Sequence, residues 1–312
     1  MGLSLIHALM RSTPKSGVNI YRIRSLAALL LLALLAMAAF KAMRARRQEP
    51  QNPAQAFQAA TTRQFWETYR LASQKRASGD LDTAAALYQK ALALKPDHED
   101  SLYYQANCYF ELGRYPDAIA AHERLIVVNP QGSSRGYMQL GLIYSCLEKG
   151  APLNLPKAEE YFQRSVQVDP DSGGRLALGE VAMLRGDWQK AEDHLESANA
   201  DNPMSMAAPY LLGYLCYRQG QQAEAWRWFS LAVQRGELKK AALKWTEEGD
   251  VKADPELRWR ALARQSVFGK YWLQLRKYTG KGNYAQADMK KEYQQLQKVL
   301  VPRSLNVSVA GR

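Results

Sequence analysis

The chain has 312 residues, 47% of them hydrophobic and 23% charged, which excludes a low-complexity polymer and allows a sizeable buried core. Its net charge of +12 is unevenly spread: residues 1–47 carry eight Lys/Arg and no acid, 48–234 seventeen against twenty-two, and 235–312 seventeen against eight. The middle of the chain is therefore mildly acidic between two basic ends, and the overall positive charge does not signal a basic binding groove.

Residues 1–24 form a basic leader. After it, Ser25 to Phe40 is an uncharged Ala/Leu-rich run between Arg22 and Arg24 on one side and Lys41, Arg44, Arg46 and Arg47 on the other. As a helix it spans roughly 24 Å against a hydrocarbon core of about 30 Å. Snorkelling of Arg24 and Lys41 extends it, so a single transmembrane anchor is expected over residues 25–43. The competing reading is a cleaved signal peptide ending near Ala36-Met37-Ala38. Four basic residues on each flank leave the orientation tied. A single N-terminal anchor more commonly leaves its leader in the cytoplasm, which gives the expectation of a single-pass protein of the bacterial inner membrane with exported C-terminal residues. Pro50 and Pro53 make residues 44–62 a polar tether, with a first helix expected near Thr61.

Beyond the tether the chain repeats itself. Pro96, Pro130, Pro170 and Pro203 close four similar segments, separated by 34, 40 and 33 residues. Ahead of each stands one half-pattern: Ala84, Tyr88, Ala91; Ala118, His122, Leu125; Ala158, Phe162, Ser165; Ala191, Leu195, Ala198. A fifth copy, Ala225, Phe229, Ala232, lacks the proline. Spacings of four and three put these residues on one helix face, small where helices approach and large where a gap is filled. The upstream half of each copy supplies one small residue, Ala72, Ala106, Gly141, Gly179 or Gly213, and four copies carry a glycine at the turn.

This pattern resembles the tetratricopeptide repeat, a helix-turn-helix unit of about 34 residues, in five near-copies over residues 63–236. The resemblance implies an all-α solenoid, preceded here by the transmembrane helix and closed by C-terminal capping helices. Two departures stand out. Gly150 to Pro156 lengthens the third turn, so a protruding loop is expected there. Asp171-Ser172-Gly173-Gly174 opens the fourth copy where the family has bulk, which predicts looser stacking of the third repeat on the fourth.

Residues 237–302 read as the cap and 303–312 as a tail, with helices expected over Lys239–Lys244 and Tyr284–Leu300. Between them, Trp259, Phe268, Tyr271, Trp272 and Tyr278 interleave with Arg258, Arg260, Arg264, Lys270, Arg276 and Lys277. Aromatics with cations suit nucleic acid. Yet Trp259, Leu262, Ser266, Phe268, Trp272 and Leu275 step by threes and fours, as a cap against the last repeat requires, so nucleic acid is the weaker reading and anionic lipid the better use of the spare charge.

No HExxH, GxSxG or CxxC occurs, and Gly280-Lys281-Gly282 lacks the spacing of a phosphate loop. No catalytic residue, metal or cofactor is expected, and the chain does not read as an enzyme. His122 reads as packed in the core, and His98-Glu99-Asp100 as a helix start. Cys108, Cys146 and Cys216 read as buried thiols.

In such arrays the first helix of each pair lines the concave side, so the resemblance implies a groove of Trp66, Tyr69 and Ser73; Tyr103, Asn107 and Phe110; Met138 and Leu142; Leu176, Glu180 and Met183; and Tyr210, Tyr214 and Tyr217. Partner-binding residues are expected to be Trp66, Tyr69, Tyr103, Asn107, Phe110, Met138, Met183, Tyr210, Tyr214 and Tyr217, a lining with large contact area at low entropic cost. Family members that grip a C-terminal carboxylate use Lys and Asn pairs. Asn107 matches one such position, but Tyr103 and Ala177 stand where a lysine and an arginine are needed. A segment with apolar anchors is the expected ligand. The function expected is a membrane-tethered scaffold holding a partner polypeptide in an assembly, export or envelope complex. The alternative is a peripheral adaptor using its basic ends on anionic lipid or nucleic acid. The sequence leaves the oligomeric state open.

Overall fold

A computed structural model describes residues 30–31, 33–41, 53–245, 264–279 and 284–307. The chain divides into two units, Met1–Gln64 and Phe65–Arg312.

In the first unit, residues 30–31 and 33–41 are helical, and Leu30, Leu34, Met37 and Phe40 are exposed on them. The leader and the remainder of the expected anchor lie outside the described residues. Among the described residues no helix is long and apolar enough to cross a membrane. The next helix, α1, runs Pro53–Ala77. The tether expected over residues 44–62 therefore ends sooner. Pro53 opens the helix, where a missing N–H is harmless, and does not break it.

The second unit stacks helical hairpins. After α1 come α2 (Leu81–Leu94), α3 (Glu99–Glu111), α4 (Tyr115–Val128), α5 (Ser134–Ser145), α6 (Leu155–Val168), α7 (Gly174–Arg185), α8 (Trp188–Asp201), α9 (Ala207–Arg218) and α10 (Gln222–Trp245). Four first helices end alike. Gly113, for example, sits at φ +71°, and Arg114 N–H donates to the Tyr109 carbonyl at 2.8 Å, a closure that needs a residue free to be left-handed. Two second helices start on side-chain caps: Asp80 accepts from Thr83 N–H at the start of α2, and Asn154 from Lys157 N–H at 3.1 Å at the start of α6. The third copy lacks the glycine stop. Its chain leaves α5 in extended form at Cys146, and Asn154 N–H returns to the Tyr144 carbonyl at 2.7 Å, closing the expected loop.

Small residues of one helix receive large residues of the next. A Cβ on Gly179 would lie 2.7 Å from Leu195, and one on Gly213 3.0 Å from the Phe229 ring. Looser stacking at the fourth copy does not occur. A Cβ on Gly174 would lie 2.6 Å from Val166, so glycine there draws α7 closer to α6. His122 is fully buried where other copies place Tyr88, Phe162, Leu195 or Phe229.

The Lys239–Lys244 helix is not separate, because α10 runs through it to Trp245. The chain is next described at 264–279, with a short helix α11 (Gly269–Trp272) and a 3-10 turn Leu273–Tyr278, and then in α12 (Gln286–Val307). Gly280 to Gly282, and Trp259 and Leu262 of the expected cap, lie outside the described residues. Phe268, Trp272, Leu275, Tyr278, Met289, Leu296 and Leu300 are buried in one cluster with residues of α7 to α10.

Candidate functional site

One ladder of positions organises the first helices. Asn107, Leu142, Glu180 and Tyr214 each directly follow the small residue at which paired helices meet, and Tyr103, Met138, Leu176 and Tyr210 stand four residues earlier. At an advance of about 100° per residue, the residue after the close-approach point turns away from the paired helix, toward the inner face.

At the α9 end this face is covered by the chain itself. The Tyr293 ring of α12 stacks on Tyr214 at 4.9 Å between centroids and tilts against Tyr217 at 4.6 Å. Glu180 accepts hydrogen bonds from the Ser266 hydroxyl and, at 2.9 Å, from Val267 N–H, while Trp272 Nε1 donates to Ser266 Oγ at 3.0 Å. Lys277 pairs with the buried Glu292 at 3.0 Å. Burial pushes the Glu180 carboxyl up to about 7, opposed by its Ser266 and Val267 donors. Burial likewise raises the Tyr210 and Tyr214 hydroxyls above the ordinary phenol value.

Several expected lining residues are consequently closed. Tyr210 is 0% and Tyr214 2% exposed, and Met183 is buried, because α12 and residues 264–279 return onto α7 and α9. Met138 is buried for another reason: it packs with Phe162, Ala177 and Val181 in the contact between the third and fourth repeats. Tyr217 is half-buried beneath Tyr293.

The α1 and α3 end remains open. Trp66 is 49% exposed; Tyr69, Tyr103, Asn107 and Phe110 are half-buried. Tyr69 lies against the His98 ring at 5.2 Å, and His98 in turn caps α3 by accepting from Ser101 N–H at 3.2 Å. Lys95 sits 4.5 Å over the Phe65 ring and 5.2 Å over Trp66. Arg135 lies 4.8 Å over Tyr103 while pairing with Asp100 at 3.2 Å, so its charge is held on both sides. Asn107 Oδ1 is buried with no hydrogen-bond partner among the described residues.

Between the covered and open ends lies a cavity of about 440 Å³, lined by Phe110, Leu142 and Cys146 from the repeats and Val267, Lys270 and Leu273 from the returning segment. Cys146 is half-buried there, unlike the buried Cys108 and Cys216, because it leaves the helix as the extended residue after α5. Glu180 did carry a sequence signal, a lone acid on an otherwise apolar and aromatic stripe. Tyr293 carried none beyond its helical period.

A tetratricopeptide repeat model matches residues 69–134 and 176–239. Among curated proteins, the Arabidopsis thaliana protein CTR9 homolog is 29% identical over 143 residues, which is 45% of this chain and 12% of that protein. The human cilia- and flagella-associated protein 70 is 30% identical over 123 residues, 39% of this chain and 10% of that protein. The chain thus spans about a tenth of the length of these relatives. Among solved structures, a thermophilic TPR protein of Thermus thermophilus is 26% identical, covers 55% of this chain and 91% of its own, and superposes with a TM-score of 0.44. The chain carries tetratricopeptide repeats in an all-α solenoid, a fold that is typically a non-enzymatic scaffold for protein–protein interaction.

Proposed function

We propose that this chain is a membrane-tethered scaffold whose groove, over α1 and α3, holds a partner polypeptide in an assembly, export or envelope complex. One contrast along the ladder supports the reading. On α7 and α9 the inner positions Glu180, Tyr214 and Tyr217 take this chain's own C-terminal residues, whereas Trp66, Tyr69, Tyr103, Asn107 and Phe110 stay partly open. A face that binds polypeptide at one end and presents similar chemistry at the other is suited to a second segment. Asn107 carries both a donor and an acceptor, which fits a peptide backbone.

The test is Trp66→Ala combined with Tyr103→Ala in the full chain. Co-purification of a crosslinked partner from native membranes is lost while far-UV helicity is kept. Retention of the same partner by the double variant counts against the groove.

The tether is residues 25–43, supported by the uncharged run from Ser25 to Phe40 between basic flanks. It places the protein in a bacterial inner membrane with the repeats on the exported side. Ser78 is exposed after α1 and suits a reporter thiol. With Cys108, Cys146 and Cys216 removed, Ser78→Cys in intact cells is labelled by a membrane-impermeant maleimide if the repeats are exported. Labelling only after permeabilisation reverses the orientation, and release of the protein by carbonate washing overturns the anchor.

A further inference from the structure

Resting on the groove reading above, we propose that the cavity between α3, α5 and the returning segment is the pocket that selects the partner, and that it receives an aromatic or branched apolar side chain of the partner polypeptide. Its floor is apolar, from Phe110 and Leu142 on one side and Val267 and Leu273 on the other. Its volume of about 440 Å³ falls within the range that ligand clefts fill. Four charged residues stand at its edge: Arg264 and Glu111 neutralise each other at 2.6 Å, Glu148 accepts from the Tyr115 hydroxyl at 3.4 Å, and Lys270 lies 5.3 Å over the Tyr271 ring, so opposite charges balance and each is engaged within the chain. An apolar floor with a few fixed polar groups at the edge selects for shape and hydrophobicity.

The far wall belongs permanently to the fold. Phe268, Trp272, Leu275 and Tyr278 are buried against the last repeats, and moving the segment away would expose all four. Binding a peptide of ordinary affinity returns less than that exposure costs, so the segment acts as a wall and not as a competitor that leaves. Glu180 fixes the wall's position by holding Ser266 and Val267 directly beside the cavity.

Continuity with this internal contact identifies the occupant as polypeptide. The chain's own backbone is read at the Glu180 step of the ladder, and Asn107 holds the corresponding step on α3. Phe110 lies three residues beyond Asn107, on the same helix face, and reaches the cavity. A polypeptide laid along the open end therefore meets the pocket where the groove stops at the returning segment.

The experiment selects a random-peptide display library on the full-length protein, then titrates a fluorescein-labelled copy of an enriched peptide. Enriched peptides share an aromatic or branched apolar residue. Changing that residue to Ser, or Val267→Asp in the protein, weakens binding about tenfold or more, as does Trp66→Ala. A second measurement needs no substitution. The bound peptide slows alkylation of Cys146 by N-ethylmaleimide in the wild type, Cys108 and Cys216 being buried. If Trp66→Ala and Tyr103→Ala weaken binding while Val267→Asp does not and Cys146 reacts at its free rate, the pocket is overturned and the groove stands. If no peptide is enriched, or binding ignores Trp66→Ala and Tyr103→Ala, the groove reading falls and the pocket with it.

Discussion

The Glu180 carboxylate accepts the Val267 backbone N–H at 2.9 Å while wholly buried, so one inner-face acid ties the returning segment to α7. Burial raises its carboxyl from an ordinary 4.5 to about 7. Between those values the folded chain holds a proton that the unfolded chain releases. Stability from this group is therefore complete below pH 4.5 and is lost as pH rises through 7. The contribution is on the order of 3 kcal/mol. Glu180→Gln keeps an acceptor and removes the charge. Its melting temperature, followed by circular dichroism from about pH 5 to pH 8, falls less than that of the wild type. Parallel slopes would show that the acid is not buried at this contact.

His122 works in the opposite direction. Burial pushes its imidazole from 6.5 down to about 3, and neither ring nitrogen has a hydrogen-bond partner among the described residues. The unfolded chain gains the proton first, so stability is complete above pH 6.5 and is lost as pH falls toward 3. Phenylalanine occupies the same step in the third and fifth copies, at Phe162 and Phe229. His122→Phe accordingly removes most of the acid sensitivity of the second repeat and stabilises the chain by about 1 to 3 kcal/mol, the cost of an unpartnered buried polar group. Urea titrations at pH 7 and pH 5 check it, since the variant's midpoint moves less between them.

The repeat register was legible because close approach leaves a mark in the sequence: alanine stands at 106 and glycine at 141, 179 and 213, where an added Cβ would press on Phe162, Leu195 or Phe229, and a bulky partner fills the facing step. The cover over α9 left no such mark. Tyr210, Tyr214 and Tyr217 present the same stripe whether a foreign polypeptide or Tyr293 of the same chain lies on it. Nothing local encodes the return of residues 264–279 onto Glu180, a contact made across a sequence separation of 87. Pro53 misled for a simpler reason, since the ring that breaks a helix inside it suits the first turn.

Gly213 tests the packing rule. A Cβ there would meet the Phe229 ring at 3.0 Å, tighter than ordinary contact, and the ring is fully buried with nowhere to move. Gly213→Ala gains helix propensity of roughly 1 kcal/mol but overpacks the core by about 1 to 3 kcal/mol, so the net effect is destabilising. Adding Phe229→Leu makes room and recovers part of the loss. A double-mutant cycle with a favourable coupling between the two supports the contact, whereas strict additivity contradicts it.

Tyr103 and Tyr210 hold the same step of the ladder, four residues before Asn107 and Tyr214, yet their surroundings differ. Tyr210 is fully buried, 5.5 Å from the Phe229 ring, while Tyr103 is half-buried beneath Arg135. Tyr210→Ala empties a filled core site and costs about 3 to 5 kcal/mol, the usual loss for a buried aromatic. Tyr103→Ala loses one partly exposed cation–π contact and some packing, about 1 kcal/mol. The comparison is made by urea titration at unchanged m-value, which separates a stability change from a change in compactness. The difference follows from what covers each tyrosine, since the two helices share their register. Equal losses for the two variants would make the α3 face part of the core, and the groove would then have no open end to offer a partner.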